Sequence, residues 1–203
     1  MLWLLRTRSS KVTSRPTLCR PPGHHARVEA AVGFCFLNNA AIAAEVLRGN
    51  FNKVAVLDTD IHHGQGIQEI LYDRDDVLYV SIHGDPTNFY PVVAGFDDET
   101  GAGAGEGYNL NLPMAHGASE ADFFQLYGSG NLCIAQVRAR CARALAGFDI
   151  YANDPQSKAS VSHEGLSMLG QRIKALEIPC VVVQEGAMTS PRWMKMPRDS
   201  PPA

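Results

Sequence analysis

An α/β fold with an open, mostly parallel sheet and helices on both faces is predicted by three features of the chain. Extended apolar runs at 54–57, 77–82 and 179–184 alternate with helical segments, which implies right-handed crossovers between parallel strands. The run at 77–82 is apolar almost throughout, so both of its faces are covered. The stretch Asp58-Thr59-Asp60-Ile61-His62-His63-Gly64 follows directly on the first run, at the carboxyl end of a strand, where open parallel sheets hold ligands.

Taken in order, residues 1–17 read as a basic leader, with Arg6, Arg8, Lys11 and Arg15 among serines and threonines and no acid. That composition fits a disordered leader or an organellar transit peptide, and it is left out of the fold. Pro21-Pro22-Gly23 is a turn signal that delivers His24-His25 into a loop. Good helix formers fill 39–47, with Asn38 or Asn39 as cap and Gly49 as stop. The strand at 54–57 leads to a short helix at 65–72 and a second strand at 77–82. A glycine-rich loop at 83–113 is too long for a passive connection and is expected to shape a site. Ser119 and Asp122 open a helix whose composition runs through 124–146, with a break near Gly128-Ser129-Gly130. In the helix at 162–176, Leu166, Leu169, Ile173 and Leu176 form one apolar stripe. The tail, 187–203, reads as disordered, which leaves 18–186 as one α/β domain.

Composition bounds the function. A net charge of -3, with no concentrated basic face, argues against nucleic acid. The five cysteines form no C-x-x-C pair and cannot all be bridged, so a reducing, cytoplasmic setting is expected, with import by the leader as the alternative. No apolar run approaches the roughly 20 residues that span a bilayer, and no membrane partner is expected. A homo-oligomer stays open.

Side chains in extended backbone alternate, so Asp58, Asp60 and His62 are expected on one side of the chain. Two carboxylates and an imidazole without a thiolate suit a catalytic divalent ion such as zinc. An acidic loop after a strand is the plain alternative, and for His24-His25 it is two loop imidazoles bound to carbonyls.

Four motifs occur in sequence: Pro21-Pro22-Gly23-His24-His25, Gly33-Phe34-Cys35-Phe36-Leu37-Asn38-Asn39, Asp58-Thr59-Asp60-Ile61-His62-His63-Gly64 and Val80-Ser81-Ile82-His83-Gly84. Together they resemble the zinc-dependent histone deacetylase superfamily from about residue 18 to 186, and hence an arginase/deacetylase-like sheet. The segments His83-Gly84-Asp85-Pro86, Phe89-Tyr90-Pro91 and 103–113 look most like bacterial acetylpolyamine amidohydrolases, with class II histone deacetylases next.

The resemblance implies Asp60, His62 and Asp149 as zinc ligands, His25 as general base and His24 as its electrostatic partner. It implies a potassium site at Asp58 and Ser81, and tunnel walls at Gly33, Phe34 and Tyr90. The implied substrate is an acetylated polyamine or an acetyl-lysine side chain, hydrolysed to acetate and amine. A zinc ion with two carboxylate ligands acidifies water less than an all-histidine site and benefits from a separate base. Glu106 is either a solvated loop acid or a tunnel-mouth acid that attracts polycations. Cys35 is expected to be a packed, inert thiol.

Three departures stand out. A basic leader replaces the family's segment ahead of the tandem histidines. No tyrosine follows Tyr151, where the family carries a catalytic one; Gly186 is followed by Ala187-Met188. An apolar strand should precede Asp149, yet Arg138-Ala139-Arg140-Cys141-Ala142-Arg143 is basic and helix-prone, which predicts a misplaced ligand. A truncated or frame-disrupted member of the family is therefore expected, with a non-catalytic remnant as the rival. An arginase-like pair of manganese ions is disfavoured because a second aspartate-rich motif is missing.

Overall fold

The computed structural model describes residues 16–19, 21–137 and 141–186. Among them lie strands β1 (Pro16–Leu18), β2 (Val54–Asp58), β3 (Val77–Gly84), β4 (Asn109–Met114), β5 (Ala118–Ser119), β6 (Cys141–Ala146), β7 (Ala159–Ser160) and β8 (Cys180–Gln184). The helices are α1 (Asn39–Arg48), α2 (Gln65–Leu71), α3 (Glu120–Gln136) and α4 (His163–Lys174). Six strands form one sheet in the order β1-β8-β6-β2-β3-β4, every neighbouring pair parallel, while β5 and β7 pair separately.

Alternation along the central strands sorts the layers. Ala55 and Leu57 of β2 and Val80 and Ile82 of β3 pack with Phe123, Tyr127 and Ile134 of α3 and Leu166 and Leu169 of α4. Val54, Val56, Val77 and Tyr79 face the other way, onto Ala40, Ala44 and Leu47 of α1 and Ile67 and Leu71 of α2. Each large apolar side chain buried this way is worth roughly 1.5–3 kcal/mol. The helix starts are fixed locally: the Asn38 side chain accepts from Ala41 N–H, and Ser119 and Asp122 form a reciprocal capping box.

Topology places the site. From β2 the chain steps outward to β3 and β4, then returns to the other side of β2 as β6 and continues to β8. The direction of winding reverses between β2 and β6, so their carboxyl ends open a crevice.

Four expectations need correction. Residues 141–146 are not helical: they form β6, between β2 and β8. Helix preference among ordinary residues is worth only tenths of a kcal/mol each, and pairing on both edges outweighs it. α3 runs unbroken through Gly128-Ser129-Gly130, because Gly130 lets the helix approach the sheet; a Cβ there would lie 3.0 Å from Val80. The loop at 83–113 ends in strand β4, whose Asn109 and Asn111 read as loop residues but are buried and donate to Gln68 Oε1 at 3.1 and 2.9 Å. The leader boundary at 17 is too late, since Pro16 and Thr17 belong to β1 on the sheet edge, a position that tolerates proline. The rest of the leader, 1–15, and the tail, 187–203, lie outside the described residues.

Candidate active site

β2 delivers Asp58 into the sheet end, and the chain then curls by successive side-chain-to-backbone bonds. Asp58 Oδ1 accepts from Asp60 N–H at 3.1 Å and Asp60 Oδ1 accepts from His62 N–H at 3.0 Å. The turn after β6 supplies the third residue: Asp149 Oδ1 accepts from Ile61 N–H at 2.9 Å. Asp60, His62 and Asp149 thereby bring one ligand atom each within 4.8 Å of one another. His62 Nδ1 lies 3.0 Å from Asp149 Oδ2 and 3.3 Å from Asp60 Oδ1. Asp149 is therefore in place, contrary to the expectation from the basic run before it. Asp58 is not part of this triad; it turns behind it to His24 and Tyr79.

The electrostatics of the triad suit a cation. Burial and then the neighbouring Asp60 push Asp149 up to about 7. Burial opposes the charge on His62, but Asp149 and Asp60 overcome it and hold the imidazole at about 9. Two buried carboxylates pressed against each other beside an imidazole are relieved by a divalent ion. Glycines keep this face open. A Cβ on Gly186 would sit 2.6 Å from Asp60 Oδ2 and 2.8 Å from Asp149 Oδ2, and one on Gly147 would overlap Asp60.

The tandem histidines lie beside this face. His24 Nδ1–H donates to Asp58 Oδ2 at 3.1 Å, and its Nε2 lies 3.9 Å from Asp60 Oδ1. Burial disfavours the charged form, yet Asp60 and Asp58 outweigh it and raise the His24 pKa well above the ordinary range. His25 goes the other way: burial and the adjacent charged His24 lower its pKa, so the imidazole is neutral. Gln65 Nε2 donates to the Tyr90 hydroxyl at 3.0 Å, which turns Gln65 Oε1 toward His25 Nδ1 at 2.7 Å. An amide oxygen only accepts, so His25 carries its proton on Nδ1 and leaves Nε2 free.

A cleft of about 310 Å³ opens over these groups. Phe34 (87% exposed) and Tyr90 (40%) form its walls, with Gly33 and Gln156 on the rim. Gly33 has φ +56°, and a Cβ there would run into the His25 ring, so the wall approaches the imidazole only through glycine. Phe89 stacks on His62, ring centroids 4.8 Å apart.

Residues 5–193 match the model of the histone deacetylase domain. The chain belongs to the histone deacetylase family. It is 63% identical over 172 residues to an acetylpolyamine amidohydrolase of Burkholderia pseudomallei, a match covering 83% of this chain and 50% of that protein. A crystal structure of acetylpolyamine aminohydrolase from the same species superposes with a TM-score of 0.83 at 61% identity, covering 84% of this chain and 51% of the other. A histone deacetylase homologue from Aquifex aeolicus gives 0.78 at 32% identity, covering 81% and 45%. The chain thus spans about half the length of the curated relatives it matches.

Within the deacetylase domain the remaining expected site residues divide. Ser81 lies directly opposite Asp58 in the β2–β3 register, and its hydroxyl is 2.9 Å from His83 Nδ1. Cys35 is buried, its thiol donates to Gly33 O at 3.3 Å, and burial raises its pKa, as an inert thiol requires. Glu106 is a correction. The loop returns to the amino end of β4 before reaching it, so it lies beside Gly105, whose Cα abuts the Tyr72–Arg74 backbone, and it accepts from Thr100 Oγ1 at 2.7 Å. It is remote from the cleft at the carboxyl ends. Sequence reasoning missed Gln65, Tyr79, Phe89, Gln156 and Glu185. Phe89 lay in a segment that carries the resemblance, and Tyr79 carried a physical signal, because a phenol in a strand buried on both faces needs a partner; its hydroxyl donates to Asp58 Oδ2 at 3.1 Å.

Proposed function

We propose that this chain is a zinc-dependent amide hydrolase that removes acetyl groups from acetylated polyamines. The observation that carries the reading is the convergence of His24 and His25 on Asp60, His62 and Asp149 beneath an aromatic cleft. Asp60, His62 and Asp149 would hold the ion. Bound there, zinc supplies Lewis acidity toward the amide carbonyl and lowers the pKa of water. His25 takes the proton of the attacking water at Nε2, with Gln65 fixing its tautomer. His24, charged and held by Asp58, stabilises negative charge developing beside it. Phe34 and Tyr90 grip the apolar stem of the acylated amine and exclude water. A potassium ion at Asp58 and Ser81 belongs to the same proposal. The acetylpolyamine preference is supported by the names of the Burkholderia relatives.

One sequence feature favours a slow enzyme, or the remnant expected as the rival. Gly186 is followed by Ala187-Met188-Thr189-Ser190, at the place where the resemblance implies a tyrosine that donates to the oxyanion. Deleting one such donor costs about 2.7–4 kcal/mol in comparable acyl-transfer sites. Zinc content by mass spectrometry and acetate release from monoacetylated putrescine test both readings. Turnover that falls by about 10²–10⁴ in His25→Ala, with zinc retained, supports hydrolysis. Stoichiometric zinc with no turnover supports the remnant.

A further inference from the structure

We infer that Glu185 is a positioning residue that sets the His24–His25 segment against the metal-binding carboxylates. It follows the apolar strand β8 and is only 2% exposed. Its Oε2 accepts from the backbone N–H of Gly23 at 2.5 Å and of His24 at 3.2 Å, contacts that join residues 162 and 161 positions apart. Its Oε1 is buried with no hydrogen-bond partner among the described residues. Burying a carboxylate with an unmatched oxygen is costly, and an apolar side chain of similar shape would serve packing better. What the carboxylate does instead is hold the turn that carries the imidazoles.

Its neighbour completes a clamp. Gly186 N–H donates to Asp60 Oδ2 at 2.8 Å, and Gly186 O accepts from Phe148 N–H at 2.8 Å, one residue before Asp149. Two consecutive residues thus grip both halves of the site, Glu185 the imidazole side and Gly186 the carboxylate side. Gly23 is wedged from behind: a Cβ there would lie 2.5 Å from Asn39 N and 2.7 Å from Leu37 O. Between that wall and Glu185 the turn has one position, and the turn decides where His25 sits over the cleft floor.

Amide hydrogen exchange on the full chain tests this without any need for turnover. In Glu185→Ala, exchange at Gly23 and His24 rises roughly tenfold or more, as the loss of a hydrogen bond implies, while Leu57 and Val80 in the sheet keep their protection. Glu185→Gln retains a carbonyl oxygen for both donors and restores the protection. The kinetic arm rests on the hydrolase reading: kcat for monoacetylated putrescine falls on the order of 100-fold in Glu185→Ala at unchanged KM, and Glu185→Gln recovers it. Unchanged exchange at Gly23 and His24 in Glu185→Ala overturns the inference. So does equal loss of protection across β2 and β3, or failure to fold, since either makes Glu185 a stability residue. If the parent chain shows no turnover, the hydrolase reading fails while the exchange pattern still decides the role of Glu185.

Discussion

The two ends of the central sheet handle charge in opposite ways. At the amino ends, Arg74 pairs with Asp76 at 2.8 Å and with Glu45 at 2.8 Å, and Arg48 reaches Asp76 at 2.5 Å. Opposite charges alternate there, partly in water. At the carboxyl ends, Asp58, Asp60, Asp149 and Glu185 are all buried, and His24 and His62 lie against three of them. The first arrangement stabilises the fold modestly; the second loads it with like charge that a bound cation and a substrate can use. Concentration of unfavourable charge at one end marks the candidate site.

The sharpest way to break that contrast is Asp149→Asn. Zinc affinity should drop more than about 100-fold, since losing a direct ligand exceeds the 10–100-fold typical of outer partners, and calorimetric titration reads this. The metal-free variant should melt no lower than its parent, because one of two facing carboxylates is gone. A clear fall in the metal-free Tm would show that the site supports the fold.

Tyr79→Phe probes the boundary between the regions. It removes a buried donor to Asp58 and leaves that carboxylate short of a partner, at a cost of about 1–3 kcal/mol in denaturant unfolding. Zinc content should not change.

The smallest effect is expected at the amino ends, where Asp76→Asn should cost about 1 kcal/mol at neutral pH. The Arg74 guanidinium, helped by Arg48, holds the Asp76 pKa below the usual carboxylate range. A depressed folded pKa contributes stability above the unfolded value, about 3.9, and loses it as pH falls through the folded one. The Tm difference between variant and parent should therefore be constant above about pH 5 and shrink progressively below pH 4. A difference that is undiminished at pH 2 would show that charge is not its source.

Much of this was legible in the chain. The apolar runs of β2, β3 and β8 and the helices opened by Asn38, Ser119 and Ser162 could be read from pattern, and so could the histidine and aspartate motifs, because each is a local signal. β6 could not, since Arg and Ala in 138–146 favour a helix and only pairing with two distant strands overrides them. Glu106 was misjudged because a loop's sequence does not say at which end of a sheet it turns. Gln65 and Glu185 carried no signal of their own: one is an amide in a short helix, the other an acid after a strand. Each acquires its task from a partner at least 40 residues away.

The strand order has a thermodynamic consequence. Asp60 and Asp149 meet because β2 and β6 pair across a long stretch of chain, and Gly186 joins them from β8's end. An ion captured there recognises the assembled chain and ignores the denatured one, so occupancy and folding form a single linked equilibrium. Each tenfold rise in free ion above its Kd then adds about 1.4 kcal/mol to the unfolding free energy.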